Sequence, residues 1–377
     1  MKRWAAGLFI SLFFLYNQCG ALSEGQTSAR AACILEMETG RVLFSHNMHD
    51  RLPMASTTKV MTALLGLELG DPKAMVTCSE NAFGVSGTSI YLAQGETLAL
   101  SDMLLGLMLA SGNDAAVAIA EHIAGTVDAF AAMMNARAKV IGAVNTHFVN
   151  PHGLPDDDHY TTAYDLALIA REAMGNESFR TLVSTSRATI PWEGRTYDRQ
   201  LRNKNRLLTD YPGATGIKTG FTSKAGRCLV FGAARDGMEL VGVVLGCSNW
   251  FDEAERLLDS CFETYSMVDV LGPMKSAGRV LVEDGKLDVV DMCLMQTLSA
   301  PLGMGEAGQI VLDVPQRVMA PVYPGMHLGT AHLVVGGQEI ASCEVVASER
   351  VESRGLTLDM MRVMAHWLLQ NNNIDIE

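Results

Sequence analysis

The chain has 377 residues, 48% of them apolar, and 29 Lys and Arg against 42 Asp and Glu give a formal net charge of −13. That length and apolar share suffice for two globular domains with a sizeable core and exclude a disordered chain. The negative balance, without a Lys/Arg cluster interleaved with aromatics, excludes electrostatic attraction to nucleic acid. The nine histidines show no H-E-x-x-H or similar spacing, so neither a metal site nor a cofactor is expected.

The chain opens with Lys2 and Arg3, an apolar run from Trp4 to Tyr16, and the small residues Cys19, Gly20 and Ala21. This is the layout of a signal peptide over residues 1–21 and predicts an exported protein. Eight cysteines are present without a C-x-x-C pair; Cys33, Cys228 and Cys247 lie in apolar strand-like runs and read as buried thiols.

Ala31 to Met37 and Arg41 to His46 read as strands of a hairpin turning at Glu38-Thr39-Gly40. From Ser56 to Leu69 the period turns helical, with Val60, Ala63, Leu64 and Leu67 on one face. Ser101 to Met174 reads as a helical block, broken at Ser111-Gly112-Asn113 and at the loop from Asn150 to Pro155, with Thr161-Thr162 capping its last helix. Strands return at Gly216 to Phe221, Arg227 to Ala234 and Met238 to Gly246. A helix with Phe251, Ala254, Leu258, Phe262 and Tyr265 on one side follows. Strands, a long helical insertion and further strands predict an α+β fold: an antiparallel sheet with helices and a large helical subdomain over residues 30–267. Residues 268–354, with β-like stretches such as Gly278 to Val282, Ile310 to Val314 and His332 to Val335, are expected to form a small β-rich domain. The terminal segment 355–372 reads as an amphipathic helix, apolar over most of its circumference and too short to span a bilayer; it is expected to lie on a membrane surface, with Trp367 among the headgroups.

Three short motifs carry the chemistry: Ser56-Thr57-Thr58-Lys59, Ser111-Gly112-Asn113 and Lys218-Thr219-Gly220. Singly they are weak, and Ser45-His46-Asn47 is a chance example. A serine hydroxyl needs a base within reach, and Lys59, one helical turn from Ser56, shares its face. A lysine is a base only when burial and cationic neighbours lower its pKa, and Lys218 is a fitting neighbour. Ser111 is placed to pass a proton to a leaving group, and Asn113 to orient Lys59 and the substrate amide. Lys218, Thr219, Gly220 and the following Phe221 form a strand edge on which an extended peptide aligns, with Lys218 as the anchor for a carboxylate.

The ordered triple resembles that of penicillin-binding proteins and serine β-lactamases. Pro53 to Lys59, Leu109 to Ala116, Asn150 to Leu154 and Gly216 to Gly226 further resemble the low-molecular-mass serine-type D-alanyl-D-alanine carboxypeptidases, over roughly Ala31 to Tyr265. The resemblance implies acyl transfer. Ser56 attacks the carbonyl between two terminal D-alanines of a peptidoglycan stem peptide, with Lys59 as base, Ser111 as proton shuttle, and Lys218 and Thr219 on the terminal carboxylate. It also implies an oxyanion hole from the backbone N–H groups of Ser56 and Phe221, inhibition by β-lactams, and an extracytoplasmic location against the membrane. In the stretch Asn203-Lys204-Asn205, some relatives carry an arginine where Lys204 stands, which lacks a bidentate fork.

Two rivals remain. A β-lactamase is disfavoured by Ser-Gly-Asn in place of Ser-Asp-Asn and because no plausible Glu-x-x-x-Asn after Asn113 positions a deacylating water. A non-catalytic wall-binding protein is disfavoured because every reactive residue is present.

Overall fold

The computed structural model describes residues 27–355, 360–361 and 363–367. The leader at 1–21 lies outside the described residues, as does much of the terminal segment 355–372. The chain divides into two compact units, residues 20–266 and a second beginning at Met267.

In the first unit, β1 (Ala31–Glu36) and β2 (Val42–His46) form the expected hairpin, with a bulge between Ile34 and Leu35. A 3-10 turn, Ala55–Thr58, leads into α1 (Lys59–Leu69). Next come the short hairpin β3 (Met75–Thr77) and β4 (Thr97–Ala99), then α2 (Leu100–Leu105), a π-turn at Gly106–Ala110, α3 (Asn113–Ala124) and α4 (Val127–Ile141). After a loop, α5 (Ala163–Met174) and α6 (Glu177–Ser184) precede the hairpin β5 (Arg187–Ile190) and β6 (Arg199–Arg202), and then α7 (Leu207–Asp210). The unit closes with β7 (Ala214–Thr222), β8 (Gly226–Arg235), β9 (Met238–Leu245) and α8 (Trp250–Thr264).

The main sheet is antiparallel in the order β2-β1-β9-β8-β7. All six residues of β1 are buried, as are most of β8 and β9, because α5 packs on β1 and β9 while α8 packs on β8 and β9. Burial on both faces explains why these strands read as near-continuous apolar runs. The last strand of the order, β7, carries Lys218-Thr219-Gly220 and packs against the Ala55–Thr58 turn. One core joins the sheet to the helical block, with α1 at its centre: eight of its residues, Lys59 to Gly66, are buried. Thr126, Thr162 and Asn176 cap α4, α5 and α6 by accepting from the backbone three residues on, as the Thr161-Thr162 signal predicted for α5.

Three boundaries differ from expectation. The helix expected from Ser56 begins as a 3-10 turn, because Ala55 enters with φ 50° and two carbonyls, Ser56 and Thr57, share the Lys59 N–H. The break expected at Asn150 to Pro155 is wider, running from the end of α4 at Ile141 to the start of α5 at Ala163 and held by isolated bridges, Leu52 with Thr161 and His147 with Tyr160. Finally, α8 stops at Thr264 and Tyr265 begins β10 (Tyr265–Leu271), whose Tyr265, Val268 and Val270 suit the extended conformation.

The second unit contains β11 (Ser276–Glu283), β12 (Val289–Leu294), β13 (Leu298–Gly303), β14 (Gly308–Asp313), β15 (Arg317–Met319), β16 (His327–Val335) and β17 (Gln338–Ala347). Six of these pair in the order β14-β16-β17-β12-β11-β15 over an apolar core that includes Val290, Met292, Leu333 and Val345. β13 pairs with β10. Among the described residues no single helix is long and apolar enough to cross a membrane.

Candidate active site

Ser56 sits in the 3-10 turn and Lys59 is the first residue of α1, so the tight turn closes their three-residue spacing to a contact of 3.0 Å between Ser56 Oγ and Lys59 Nζ. The turn is braced from several sides. Thr57 Oγ1 donates to the Met54 carbonyl at 2.6 Å, and Thr58 Oγ1 donates to the Ala55 carbonyl at 2.9 Å. His159 fixes Thr58 in turn. Its Nδ1 accepts from the Val149 N–H at 3.0 Å, which leaves the proton on Nε2 to be donated to Thr58 Oγ1 at 2.8 Å. Burial pushes the His159 pKa down to about 4, so this neutral tautomer persists through the physiological range.

Two glycines let backbone close on the turn. At Gly153, φ is +90° and a Cβ would fall 1.9 Å from the Ala55 carbonyl oxygen; at Gly220 a Cβ would meet Ser56 N and Thr57 N, each at 3.0 Å. The Gly153 loop is shaped by Asn150, whose Oδ1 accepts from Gly153 N at 2.7 Å and whose Nδ2 donates to the Leu154 carbonyl at 3.0 Å. Thr62 Oγ1 of α1 ties the loop down through the Pro151 carbonyl at 2.6 Å.

Lys59 is fully buried. Its Nζ touches three oxygens: Ser56 Oγ, Asn113 Oδ1 at 2.7 Å and the His152 carbonyl at 2.8 Å. The Asn113 amide cannot turn over, because its Nδ2 donates to the Ser86 carbonyl at 2.7 Å. Two of the three partners are therefore obligate acceptors. Burial holds the Lys59 pKa well below the ordinary lysine value, and Lys218 and Lys204 lower it further. A neutral amine has two N–H bonds and one lone pair. With both N–H bonds committed to Asn113 and His152, the lone pair faces the one partner able to donate, the Ser56 hydroxyl.

Ser111 and Asn113 flank the break between the π-turn and α3. Ser111 is buried and left-handed at φ 68°, held in place by its backbone. Asp114 anchors the facing segment: its carboxylate accepts from Ser89 Oγ at 2.6 Å and from the backbone N–H groups of Ile90 and Leu92, each at 3.1 Å. Arg199 of β6 secures the same segment from behind, donating to the Ile90 carbonyl at 2.8 Å and pairing with the buried Glu96 at 2.7 Å.

On β7, Lys218 is buried and donates to the Thr219 carbonyl at 3.0 Å. Burial, with Lys204 adding to it, pushes its pKa down to about 7. Thr219 is buried and Phe221 is exposed. A desolvated cation on a sheet edge is a poor resting state and a good receptor for a carboxylate, which restores the charge and its partner together.

The structure thus joins Ser56, Lys59 and Asn113 by direct bonds, sets Gly220 on the turn that carries Ser56, and couples Lys218 to Lys59 through space. Ser111 enters through its place two residues before Asn113. Composition and spacing did not single out the His152 carbonyl, Asn150, Gly153, His159, Asp114 or the electrostatic reach of Lys204. The stretch Asn150-Pro151-His152-Gly153-Leu154, noted for its resemblance, was the sign of the first three.

The fold and this constellation are those of a penicillin-binding serine acyltransferase. A profile described as D-alanyl-D-alanine carboxypeptidase matches residues 18–249. The chain is 33% identical to the D-alanyl-D-alanine carboxypeptidase DacF of Bacillus subtilis over 97% of this chain and 99% of that one. It is 30% identical to DacC of Escherichia coli over 87% and 85% of the respective chains. Penicillin binding protein 5 from Haemophilus influenzae superposes with a TM-score of 0.73 at 27% identity, covering 88% of this chain and all of that one. The chain belongs to the D-alanyl-D-alanine carboxypeptidase family.

Proposed function

We infer that the protein is a serine-type D-Ala-D-Ala carboxypeptidase that trims the terminal D-alanine from peptidoglycan stem pentapeptides and is a target of penicillin. The observation that carries this reading is the Lys59 amine, 3.0 Å from Ser56 Oγ, with its two other contacts on obligate acceptors. In the proposed mechanism the peptide lies extended along β7, with its terminal carboxylate on Lys218 and Thr219. Lys59 takes the Ser56 proton as Oγ attacks the carbonyl carbon, and the oxyanion is stabilised by the backbone N–H groups of Ser56 and Phe221. Ser111 passes the proton to the leaving nitrogen, the C–N bond breaks, and water hydrolyses the acyl-enzyme. A β-lactam follows the same first step. The one Glu-x-x-x-Asn after Asn113 runs from Glu172 to Asn176; Glu172 pairs with Arg137 at 2.5 Å and Asn176 caps α6, so neither serves deacylation and a persistent Ser56 adduct is expected.

The wild type should release D-alanine from a pentapeptide ending in D-Ala-D-Ala, and Ser56→Ala should release none. The wild type alone should gain the mass of one penicillin on brief exposure. Equal release by both proteins, or a wild-type adduct that vanishes with bulk penicillin hydrolysis, refutes the reading.

We also propose that residues 30–267 carry catalysis in cell-wall biogenesis, with 268–354 a small accessory domain, and that the protein works outside the cytoplasm. The leader 1–21 would direct export and be removed, and the terminal segment 355–372 would hold the protein on the outer face of the cytoplasmic membrane. Met360, Met361, Val363, Met364 and Trp367 are all exposed, which favours a lipid-surface contact for this segment. Truncation after Gly355 should move the protein from the membrane fraction to the soluble one; unchanged partitioning rejects the anchor.

A further inference from the structure

Three aromatic residues meet around one guanidinium on the rim of the site. Arg199 of β6 is buried and fully committed in its plane: it donates to the carbonyls of Ile90 at 2.8 Å, Pro191 at 2.8 Å and Tyr91 at 3.2 Å, and to the Glu96 carboxylate at 2.7 Å. Its Cζ lies 4.8 Å from the centre of the Trp192 ring, and Tyr197 packs edge-on against Trp192 at 5.7 Å between centroids. One buried cation thus ties the tip of the β5–β6 hairpin to the Tyr91 backbone. The Tyr91 and Tyr197 side chains nonetheless stand in water, with these residues 74% and 61% exposed.

Tyr91 is also held against its own backbone preference. It is left-handed at φ 59°, a conformation unfavourable for a residue with a large side chain. Ser89 Oγ accepts from the Tyr91 N–H at 2.7 Å, and the Asp114 carboxylate grips the N–H groups of Ile90 and Leu92 on either side. The chain is therefore forced to present this ring to solvent. Strain of this kind persists only where the surroundings over-determine it, and it clusters where ligands are clamped.

The same segment is bonded to the catalytic residues. Three residues before Tyr91, the Thr88 carbonyl accepts from Asn113 N at 2.7 Å, and the Ser86 carbonyl accepts from Asn113 Nδ2 at 2.7 Å. Asn113 Oδ1 in turn holds Lys59. The three residues from Thr88 to Tyr91 span at most about 11 Å. The four acyl-side residues of a stem pentapeptide span at most about 14 Å, so the sugar that bears the stem lies at a comparable distance from the scissile bond.

A pyranose ring has a face of C–H groups and a rim of hydroxyls. Exposed aromatic rings suit the first, and the exposed Glu193, Arg195 and Asp198 offer acceptors and donors to the second. The negative balance of those three charges opposes an anionic polymer or an anionic lipid surface.

We propose that Tyr91, Trp192 and Tyr197 form a saccharide-binding platform for the glycan strand of peptidoglycan. Resting on the function inferred above, the platform makes the enzyme prefer stems still carried on glycan to free stem peptide. Arg199 holds Trp192 and the Tyr91 backbone in place beforehand, which lowers the ordering cost of binding.

The test uses one pentapeptide in two forms, free and joined to the N-acetylglucosaminyl-N-acetylmuramyl disaccharide. Wild-type kcat/KM should favour the glycosylated form by roughly 10-fold, the scale of an aromatic ring covered by an apolar face. Tyr91→Asn combined with Tyr197→Ala removes both exposed rings, and asparagine tolerates the left-handed backbone. The preference should then fall to about 2-fold or less, while release from the free peptide changes by less than about 2-fold. Tyr91→Phe combined with Tyr197→Phe keeps the rings and should keep the preference. A binding measurement needs no turnover: Ser56→Ala should bind peptide-free glycan chains and lose them when both rings are removed. A wild-type ratio near one, a preference retained without the rings or lost with phenylalanine, or glycan binding indifferent to the rings overturns the platform. A wild type that releases no D-alanine from either form overturns instead the function on which the preference rests, and glycan binding still decides the platform.

Discussion

Replacing Lys59 with methionine is expected to lower kcat/KM for D-alanine release by about four orders of magnitude while leaving the fold intact. The two side chains have similar length, and because burial already holds the Lys59 amine well below the ordinary lysine pKa, the substitution strands no buried counter-charge. Asn113 Oδ1 and the His152 carbonyl each lose a donor, at about 1–3 kcal/mol apiece. Catalysis loses its base, and an unassisted serine is a weak nucleophile at neutral pH. The pH profile gives a second, independent reading. Lys59 must be neutral to accept a proton, so wild-type kcat/KM climbs as pH rises through its lowered pKa. Lys218 must be cationic to hold a carboxylate, so kcat/KM falls as pH rises past about 7 in the free enzyme. A bell results. The residual activity of Lys59→Met should lack the acid limb and keep only the alkaline one. If the variant retains a bell, or loses less than about 10-fold, Lys59 is not the base.

Which parts of this site were legible in the sequence follows from how each part is built. Ser56 and Lys59 are legible because three residues on a tight turn fix two side chains on one face before any tertiary contact forms. Asn113 and Ser111 are legible as a polar break between apolar helical runs, and Lys218 as a lysine inside a buried strand. The His152 carbonyl was not, since a backbone oxygen has no residue signature; only the fold brings it within 2.8 Å of Lys59. Lys204 was legible only as the lysine standing where some relatives carry an arginine; its influence on Lys59 and Lys218 is exerted through space and has no sequence signature. The β5–β6 hairpin escaped notice for a different reason: Arg187, Thr189, Gln200 and Arg202 leave too little apolar alternation for a strand to show. The end of α8 was misplaced because no Gly or Pro marks it; Tyr265 continues the helical stripe in sequence and leaves it only to pair in β10. The antiparallel sheet was legible at Ala31, Arg227 and Met238 because strands buried on both faces are apolar throughout.

Gly153→Ala should damage stability and chemistry together, through a residue that touches neither the substrate nor the nucleophile's hydroxyl. A Cβ there would lie 1.9 Å from the Ala55 carbonyl oxygen, 2.4 Å from its carbon and 2.8 Å from Thr58 Oγ1, with φ at +90°. None of those atoms can yield, since Ala55 accepts from Thr58 and Thr58 is held by His159. The loop must move instead, withdrawing the His152 carbonyl from Lys59 and the Pro151 carbonyl from Thr62. Backbone strain and overpacking together should cost about 2–5 kcal/mol, or roughly 5–15 °C in melting temperature for a unit of this size. The loss of aim on Lys59 should slow acylation by penicillin about 100-fold or more. Gly84→Ala is the control: its φ of +73° carries similar backbone strain, but nothing lies within 4 Å of the added Cβ. It should melt within about 2–4 °C of wild type and acylate at the wild-type rate. If the two alanine variants melt and acylate alike, the close approach of the Asn150–Leu154 loop is not what sets the geometry of Ser56 and Lys59.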